Sequence, residues 1–204
     1  MGAQTVDVLW EMPALALALG YLLGSIPFGL ILTRLAGAGD LRSVGSGNIG
    51  ATNVLRTGHK GLAIATLLLD ALKGAAAVWI GESLAPGGAL LGAAGAFFGH
   101  CFPVWLRFRG GKGVATLGGI AFGIWWGLGL GYLAVWIGAL LATRYSSVGG
   151  LAAAVAAPVL AFWFGLSQAG LLFIALALIV FWNHRENIGR LFAHTEPKIG
   201  RDRG

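Results

Sequence analysis

The sequence predicts an all-α integral membrane protein with seven transmembrane helices. Of the 204 residues, 57% are hydrophobic and only 11% are charged, whereas about a quarter of the residues in a soluble domain are charged. The apolar residues form long runs, and a helix needs about 20 such residues to cross a bilayer. Strand-like alternation of apolar and polar residues is absent throughout. Because backbone that faces lipid must satisfy its own hydrogen bonds, these runs are predicted to be helices.

Seven apolar segments can be placed, and the glycines between Gly127 and Gly131 separate the fourth from the fifth. The segments cover residues 10–34, 61–82, 87–106, 113–127, 129–143, 148–165 and 168–184. The fourth and fifth are short, so five spans is the main alternative. The N-terminus lacks the basic region of a cleaved signal peptide, which predicts that the first segment is retained. No linker divides the chain, and residues 1–204 are predicted to form a single membrane domain.

The basic residues predict the orientation of the protein in the membrane. If all seven segments cross, every Lys and Arg except Lys73 lies in alternate connections or in the C-terminal tail. These residues are Arg34, Arg42, Arg56, Lys60, Arg107, Arg109, Lys112, Arg144, Arg185, Arg190, Lys198, Arg201 and Arg203. By the positive-inside rule the C-terminus is then cytoplasmic and the N-terminus outside. The formal charge of +6 is explained in this way, and nucleic acid is not expected as a partner.

Lys73 lies inside the second segment, one helical turn after Asp70. Charges at that depth are costly unless they are paired or face a polar interior. We predict a structural ion pair between these side chains and keep a catalytic role as the alternative. The single cysteine, Cys101, excludes an internal disulfide and is predicted to be buried.

Three polar clusters fall on the predicted cytoplasmic side: residues 45–56 (GSGNIGATNVLR), 100–116 (HCFPVWLRFRGGKGVAT) and 183–200 (NHRENIGRLFAHTEPKIG). Closely spaced small residues let backbone N–H groups approach a phosphate. In the second cluster Lys112 precedes a span, so the first N–H groups of that helix would point at the same anion. For the first cluster, an ordinary glycine-rich loop between two helices is the alternative.

Several common catalytic patterns are absent from the sequence. The second cluster is not a Walker A loop, because Leu106 stands where the first glycine should be and Gly113 follows Lys112. There is no GxSxG nucleophile elbow and no HxxxxD dyad. The four histidines, His59, His100, His184 and His194, have no metal-binding spacing. We therefore expect neither a metal ion nor a cofactor.

Among the histidines, His184 is the best candidate for a functional role. It lies at the predicted cytoplasmic end of the last span, three residues before Asn187. At that spacing both side chains are predicted to face one site on the same helical surface.

Taken together, SGNIGATNVLR, GHCFPVWLRFRGGKGVAT and HRENIGRLF with the following TEPKIG resemble the bacterial acyl-phosphate:glycerol-3-phosphate acyltransferase family, PlsY. The GSIPFG run (24–29), the Asp70-x-x-Lys73-Gly74 pattern and the RYSSVGGL segment extend the resemblance over nearly the whole chain. It implies a multi-pass enzyme of the bacterial cytoplasmic membrane, with its active site on the cytoplasmic face. The implied reaction moves a fatty acyl group from acyl phosphate to glycerol 3-phosphate.

The resemblance also implies roles for individual residues. The implied catalytic residues are Ser46, Arg56, Lys112, His184 and Asn187, and the substrate-binding residues are Gly47, Asn48, Asn53, Gly111 and Gly113, to which we add Arg144 from the RYSSVGGL segment. The family pattern has glycine where this chain has His194, which leaves the pose of the tail open. The predicted partners are acyl phosphate, glycerol 3-phosphate and membrane lipid, with a monomer as the working expectation. A transporter of a phosphorylated metabolite is the alternative, although a transporter site is expected at the membrane midplane, often within an inverted repeat.

Overall fold

The computed structural model describes residues 4–200, with side chains from residue 10 onward. In this range the chain forms helices and no strand. The helices are α1 (Gln4–Gly24), α2 (Phe28–Leu35), α3 (Ala51–Leu55), α4 (Lys60–Leu84), α5 (Gly88–Cys101), α6 (Val114–Ile124), α7 (Trp126–Thr143), α8 (Ser146–Trp163), α9 (Ser167–Asn183) and α10 (Arg185–Phe192). There are also two short 3-10 turns. Leu41–Ser43 precedes the first polar cluster, and Val104–Leu106 lies within the second.

All seven predicted segments are helical, and the prediction of an all-α membrane protein agrees with the structure. Five stretches in the described range are long and apolar enough to cross a membrane, or six if the bent pair α9 and α10 counts as one. The helix in the fourth segment, α6, has only 11 residues. At 1.5 Å per residue it rises about 16 Å, roughly half the thickness of the hydrocarbon core. The count of seven spans and the orientation of the termini stay predictions.

The chain divides into two compact units, one ending at Ile124 and the other beginning at Trp125. We call them the N-terminal unit and the C-terminal unit. The N-terminal unit contains α1 to α6, and the C-terminal unit contains α7 to α10. The single domain over residues 1–204 stays a prediction.

In the N-terminal unit, the first predicted span is interrupted. Residues 10–34 were expected to form one helix, but α1 ends at Gly24 and α2 begins at Phe28. Pro27 lies in the gap, where its missing N–H and its ring disfavour continuation of the preceding helix. The interruption exposes backbone carbonyls inside the unit, and the carbonyl of Ile26 accepts a hydrogen bond from Lys73.

Helix α1 packs against α5 and α4, and α4 packs against α5 and α6. The contact between α1 and α5 is made backbone to backbone: a Cβ at Gly24 would overlap Ala96, and one at Gly95 or Gly99 would overlap α1. Small residues at a helix interface allow this close approach, which maximises dispersion contacts in a lipid environment.

Helix α4 turns its large apolar side chains outward and its charged side chains inward. Ile64, Leu68 and Leu72 are exposed at four-residue spacing, whereas Asp70 and Lys73 are buried. Lipid is a good solvent for the exposed leucines, and charged side chains within a span are expected to face the protein interior. The charged pair therefore lies inside the N-terminal unit.

In the C-terminal unit, α7 packs on α8 and α8 packs on α9. A line of buried alanines, including Ala153, Ala157 and Ala161, lets α8 approach its neighbours closely. After Asn183 the chain bends by 59° into α10. His184 lies at this bend and belongs to neither helix. Helix α9 ends before His184, and His184 caps the start of α10, where its carbonyl accepts from the N–H of Ile188 at 2.8 Å. The expectation that His184 and Asn187 face one site stays a prediction.

Candidate functional site

The first polar cluster forms a loop between the 3-10 turn Leu41–Ser43 and α3, and a small apolar core anchors it. Leu41 and Val54, at the two sides of the loop, are fully buried and cluster with Ala63 of α4. A Cβ on Gly29 of α2 would overlap the carbonyl oxygen of Ile49, so α2 also packs directly on the loop backbone. Helices α2 and α4 therefore support the loop.

Asn53 organises this loop from inside. Only 2% of its surface is exposed. Its amide nitrogen donates to the carbonyls of Leu41 (2.8 Å) and Val44 (2.9 Å). Its amide oxygen accepts from the backbone N–H of Ser46 (3.3 Å) and from Nη1 of Arg56 (3.4 Å). One side chain therefore fixes both the loop backbone and the direction of the guanidinium.

The remaining predicted residues of the first cluster lie at the surface of the loop. Ser46 and Arg56 are exposed, and Gly47 and Asn48 are half-buried. The side-chain oxygen of Asn48 accepts from the N–H of Gly50 at 3.0 Å. Gly45 has a φ of 55°, and a Cβ there would lie 2.7 Å from Oδ1 of Asn53 and 2.8 Å from Nη1 of Arg56.

The second polar cluster places Gly110–Gly113 on the end of α5. The N–H of Gly110 donates to Cys101 O (3.1 Å), and that of Gly111 donates to His100 O (2.9 Å). A Cβ on Gly111 would overlap the imidazole of His100, so the loop lies directly against that ring. Lys112 is half-buried, Gly113 is buried, and α6 begins at the next residue. The loop therefore precedes a helix N-terminus, as predicted.

A strained corner leads into this second loop. Arg107 and Phe108 both have positive φ, 54° and 60°, a backbone region that is uncommon for residues other than glycine. The corner is tied to α1, because the Tyr21 hydroxyl donates to Phe102 O (2.9 Å) and accepts from the N–H of Val104 (3.0 Å). Strain of this kind persists only where the surrounding structure enforces it.

The predicted ion pair is present under this second loop. Oδ1 of Asp70 lies 2.7 Å from Nζ of Lys73, and Nζ donates to the carbonyl of Ile26 at 2.9 Å. Nδ1 of His100 lies 3.7 Å from the same carboxylate oxygen. All three side chains are buried. The proximity of His100 could not be inferred from the sequence, because it depends on how α5 packs on α4.

In the C-terminal unit, His184 is buried and its Nδ1 lies 2.8 Å from the carbonyl oxygen of Val180. A carbonyl can only accept, so Nδ1 carries the hydrogen. In the neutral ring Nε2 is then the nitrogen with a lone pair. The bend at the end of α9 therefore sets the tautomer of this histidine.

Glu196 is the centre of the third polar cluster. Its carboxylate accepts from the Asn187 amide at 2.6 Å and from Nε of Arg190 at 2.7 Å. Burial raises the pKa of Glu196, but the hydrogen bonds from Asn187 and Arg190, with a contribution from nearby Ser147, outweigh burial and hold the pKa below its ordinary value. Sequence reasoning missed Glu196 as a site residue, although it lies in the TEPKIG motif.

The tail is tied to the start of α8. Arg144 Nη2 donates to the carbonyl of Ile199 (3.2 Å), and the N–H of Ile199 donates to Arg144 O (2.9 Å). Lys198 lies over the ring of Tyr145, 5.3 Å from its centroid. His194 has a φ of 55°, which gives a physical reason for the glycine that the family pattern has there.

The structure thus gathers the predicted residues into three groups. Two loops of the N-terminal unit hold eight of the eleven predicted residues, and the C-terminal unit holds the other three, His184, Asn187 and Arg144. Among the described residues, no group of three or more His, Cys, Asp or Glu side chains could hold a metal ion.

The chain is similar to known proteins over most of its length. The model of a family described as glycerol-3-phosphate acyltransferase matches residues 14–194. Glycerol-3-phosphate acyltransferases from Rhodopseudomonas palustris (strain BisB5) and Nitrobacter winogradskyi are each 58% identical, over 91% of this chain and 95% of their own length.

Two crystal structures of PlsY, an integral membrane glycerol 3-phosphate acyltransferase, are also similar. The glycerol 3-phosphate form has a TM-score of 0.87 and 35% identity, covering 92% of this chain and 96% of that one. The lysophosphatidic acid form has a TM-score of 0.84 and 33% identity, covering 92% and 95%.

Proposed function

The chain belongs to the glycerol-3-phosphate acyltransferase family, and from this premise we propose that it transfers a fatty acyl group from acyl phosphate to glycerol 3-phosphate. A hydroxyl oxygen of glycerol 3-phosphate attacks the acyl carbonyl carbon, and the bond from that carbon to the phosphate oxygen breaks. The products are lysophosphatidic acid and inorganic phosphate. An acyl phosphate is a mixed anhydride with a good leaving group, so the reaction needs mainly positioning and charge stabilisation.

The observation that carries this proposal is the arrangement of donors around Asn53. Its amide oxygen accepts hydrogen bonds from the backbone N–H of Ser46 at 3.3 Å and from Nη1 of Arg56 at 3.4 Å. Donors that are fixed before the substrate arrives cost no reorganisation during the reaction. We assign Arg56 to bind a substrate phosphate and the loop around Ser46, including Gly47 and Asn48, to orient the glycerol phosphate.

Asn53 takes a different role from the one that we expected. Because its amide nitrogen and oxygen are both engaged within the loop, we propose that it acts on the substrate through Ser46 and Arg56. Lys112, at the end of the second loop, binds the other phosphate, and Gly111 and Gly113 allow the backbone to approach it.

In the C-terminal unit, we assign His184 and Asn187 to orient the glycerol phosphate and to stabilise the oxyanion that develops on the acyl carbonyl. Two groups could take the proton of the attacking hydroxyl. One is Nε2 of His184, the basic nitrogen of the neutral ring. The other is a substrate phosphate, whose second pKa is about 6. Ser46 is not assigned as a covalent nucleophile, because no base adjoins it in the sequence.

Arg144 is assigned to substrate binding through the tail. Its guanidinium and backbone hold Ile199 in place, so it would act by ordering the segment around Glu196, which in turn binds Asn187. The direct contact predicted from the sequence stays a prediction.

We propose that the protein resides in the bacterial cytoplasmic membrane with the N-terminus outside and the active site on the cytoplasmic face. The distribution of basic residues supports this orientation, since every Lys and Arg except Lys73 is assigned to alternate connections or to the C-terminal tail, and Lys73 is buried against Asp70. Cysteine substitutions at positions 86 and 168, tested for labelling from outside intact cells, would check it. Labelling of a cysteine at position 58 under the same conditions would contradict it.

The proposed function is tested with purified protein in lipid. Acyl phosphate and glycerol 3-phosphate are supplied together, and lysophosphatidic acid and released phosphate are measured. We expect one phosphate released for each lysophosphatidic acid formed. The Arg56→Ala variant, purified in the same way, controls for contaminating activity.

Two further arms sharpen this experiment. Acyl coenzyme A, supplied instead of acyl phosphate, is expected to give no product, and product from it alone would contradict the proposed donor. Uptake of glycerol 3-phosphate into proteoliposomes without any acyl transfer would favour the transporter alternative and overturn the proposal.

A further inference from the structure

The buried charges of the N-terminal unit have no assigned role in the reaction. One of them contacts the second glycine-rich loop, and another contacts the break before α2, the helix that packs on the first glycine-rich loop. Asp70 and Lys73 have 3% and 4% of their surface exposed, and His100 has 4%. Neither the carboxylate nor the ammonium group reaches the surface where the predicted phosphate-binding residues lie. Burying this many charged or polar groups inside a span is costly, so their arrangement calls for a specific explanation.

On one side, the cluster supports the loop that carries Lys112. The His100 ring presents Nδ1 to the Asp70 carboxylate at 3.7 Å and its opposite edge, which bears Nε2, to Gly111. The carbonyl of His100 also accepts the N–H of Gly111 at 2.9 Å. Because the ring is enclosed, its interaction with the carboxylate is weakly screened. A rotation of the ring would therefore displace the backbone immediately before Lys112.

On the other side, the cluster supports the loop that carries Arg56. Lys73 donates to the carbonyl of Ile26 at 2.9 Å and lies 5.7 Å from the centroid of Phe28, at the interruption between α1 and α2. Helix α2 begins at Phe28, and its Gly29 packs on the carbonyl of Ile49 in the first loop. A shift of α2 would therefore move the backbone of that loop.

We propose that Asp70, Lys73 and His100 are positioning residues that fix the Lys112 loop relative to the Arg56 loop. They hold the two phosphate-binding cations at the separation that the two substrates require. This inference rests on the proposed function. The cluster touches no substrate, and its effect on the reaction passes through Gly111 on one side and Ile49 on the other.

The test separates positioning from simple stabilisation of the fold. Asp70→Asn alone leaves Lys73 buried without its carboxylate and is expected to be strongly destabilised. The double variant D70N/K73M removes both charges at similar volume and so avoids the unpaired buried charge that destabilises the single variant. We expect its thermal midpoint to stay near that of the wild type, while KM for at least one phosphate-bearing substrate rises about tenfold or more and kcat changes less than about threefold.

A second variant, His100→Asn, keeps the ion pair but removes the ring that lies against Gly111, and the same rise in KM is expected. Measuring KM separately for glycerol 3-phosphate and for acyl phosphate identifies which phosphate the loop holds. The matched control is Val78→Ala, which creates a cavity on the buried face of the same helix, α4. It is expected to lower the thermal midpoint and leave both KM values unchanged.

If D70N/K73M and His100→Asn are folded and both KM values stay within about twofold of the wild type, the inference is wrong. A fall in kcat with unchanged KM values would also overturn it. Absence of turnover by the wild-type protein would instead contradict the proposed function, so the two failures can be told apart.

Discussion

The two units build their polar clusters in different ways. In the N-terminal unit, backbone groups and glycines dominate, and the side chains that organise the loops, Asn53 and His100, are buried behind them. In the C-terminal unit, side chains bind one another around a single carboxylate, Glu196. The first arrangement leaves cations at the edge of a preformed loop, whereas the second fixes an amide and a histidine at a helix bend.

In the proposed function the two units have different tasks. A glycine-lined loop with nearby cations suits the binding of phosphate, whose charge is spread over several oxygens. A hydrogen-bonded amide and a histidine of defined tautomer suit the orientation of a hydroxyl group and the transfer of its proton. Substitutions in the first unit should therefore affect activity through charge and backbone shape, and those in the second through geometry and stability.

Removing a cation from either loop is expected to have the largest effect on activity. Arg56→Ala and Lys112→Ala are each expected to lower kcat/KM by about 10² to 10³-fold, because each removes a cation that we assign to a substrate phosphate. Steady-state kinetics with purified variants measures this. Arg42→Ala, which removes an exposed arginine paired with Asp40, is the control and should stay within about twofold of the wild type. Comparable losses in all three variants would mean that net charge, and not position, matters.

His184→Ala tests the C-terminal unit directly. We expect kcat to fall about a hundredfold if Nε2 accepts the proton. The exposed His59 is the control, and His59→Ala should retain normal turnover. Near-full turnover by His184→Ala, together with inactive Arg56→Ala and Lys112→Ala variants, would assign the proton to a substrate phosphate.

Gly45→Ala tests whether the shape of the first loop matters apart from its charge. The added Cβ would meet Asn53 and Arg56, and the φ of 55° disfavours alanine. We expect kcat/KM to fall about tenfold through misplacement of the guanidinium. Gly61→Ala, at an open position in the first turn of α4, should leave the kinetics unchanged. Equal behaviour of the two variants would show that the loop tolerates distortion.

Glu196 makes a pH-dependent contribution to stability. Because its folded-state pKa is depressed, its stabilising effect is present above the ordinary glutamate value of 4.5 and is lost as pH falls through the folded-state pKa. Glu196→Gln should lower the thermal midpoint at pH 7 and flatten its decline as pH falls below the ordinary glutamate value of 4.5. Thermal unfolding across this range measures both. Glu186→Gln, at a 72% exposed side chain, is the control, and parallel curves for wild type and Glu196→Gln would contradict the assignment.

The smallest expected effect is a gain in thermal stability from a substitution at His194. His194→Gly relieves a left-handed backbone conformation, which costs about 1 kcal/mol in a residue with a Cβ. The thermal midpoint should rise by roughly 2 to 4 °C, with kinetics unchanged. A lower midpoint would mean that the His194 side chain contributes contacts that exceed the strain.

Much of the fold could be predicted because hydrophobic length is a local signal. All seven apolar segments are largely helical, although the first is split into α1 and α2, and the first two polar clusters lie in connections between the long helices. The interruption before Phe28 was missed because the flanking residues are apolar, and hydropathy does not register the backbone effect of Pro27. The bend at His184 was missed for a similar reason, since residues on both sides favour a helix.

The roles of the site residues stay predictions, and the sequence indicated only part of what each side chain contacts. Asp70 and Lys73 could be paired from their spacing on one helix. The approach of His100 depends on packing between helices that are distant in sequence, and the inward direction of Asn53 depends on carbonyls supplied by Leu41 and Val44. Glu196 was overlooked because a lone carboxylate in a tail carries no periodic signal.

The short length of α6 has a consequence for how the protein is made. With 11 residues it falls well below the hydrophobic length that the membrane insertion machinery recognises. Its position is defined by α4, since a Cβ on Gly119 would overlap Ala71 and one on Gly74 would overlap the carbonyl of Thr116. We therefore expect α6 to dock on α4 once α4 is in place, so that the Lys112 loop at the N-terminus of α6 takes shape only after α6 has been synthesised.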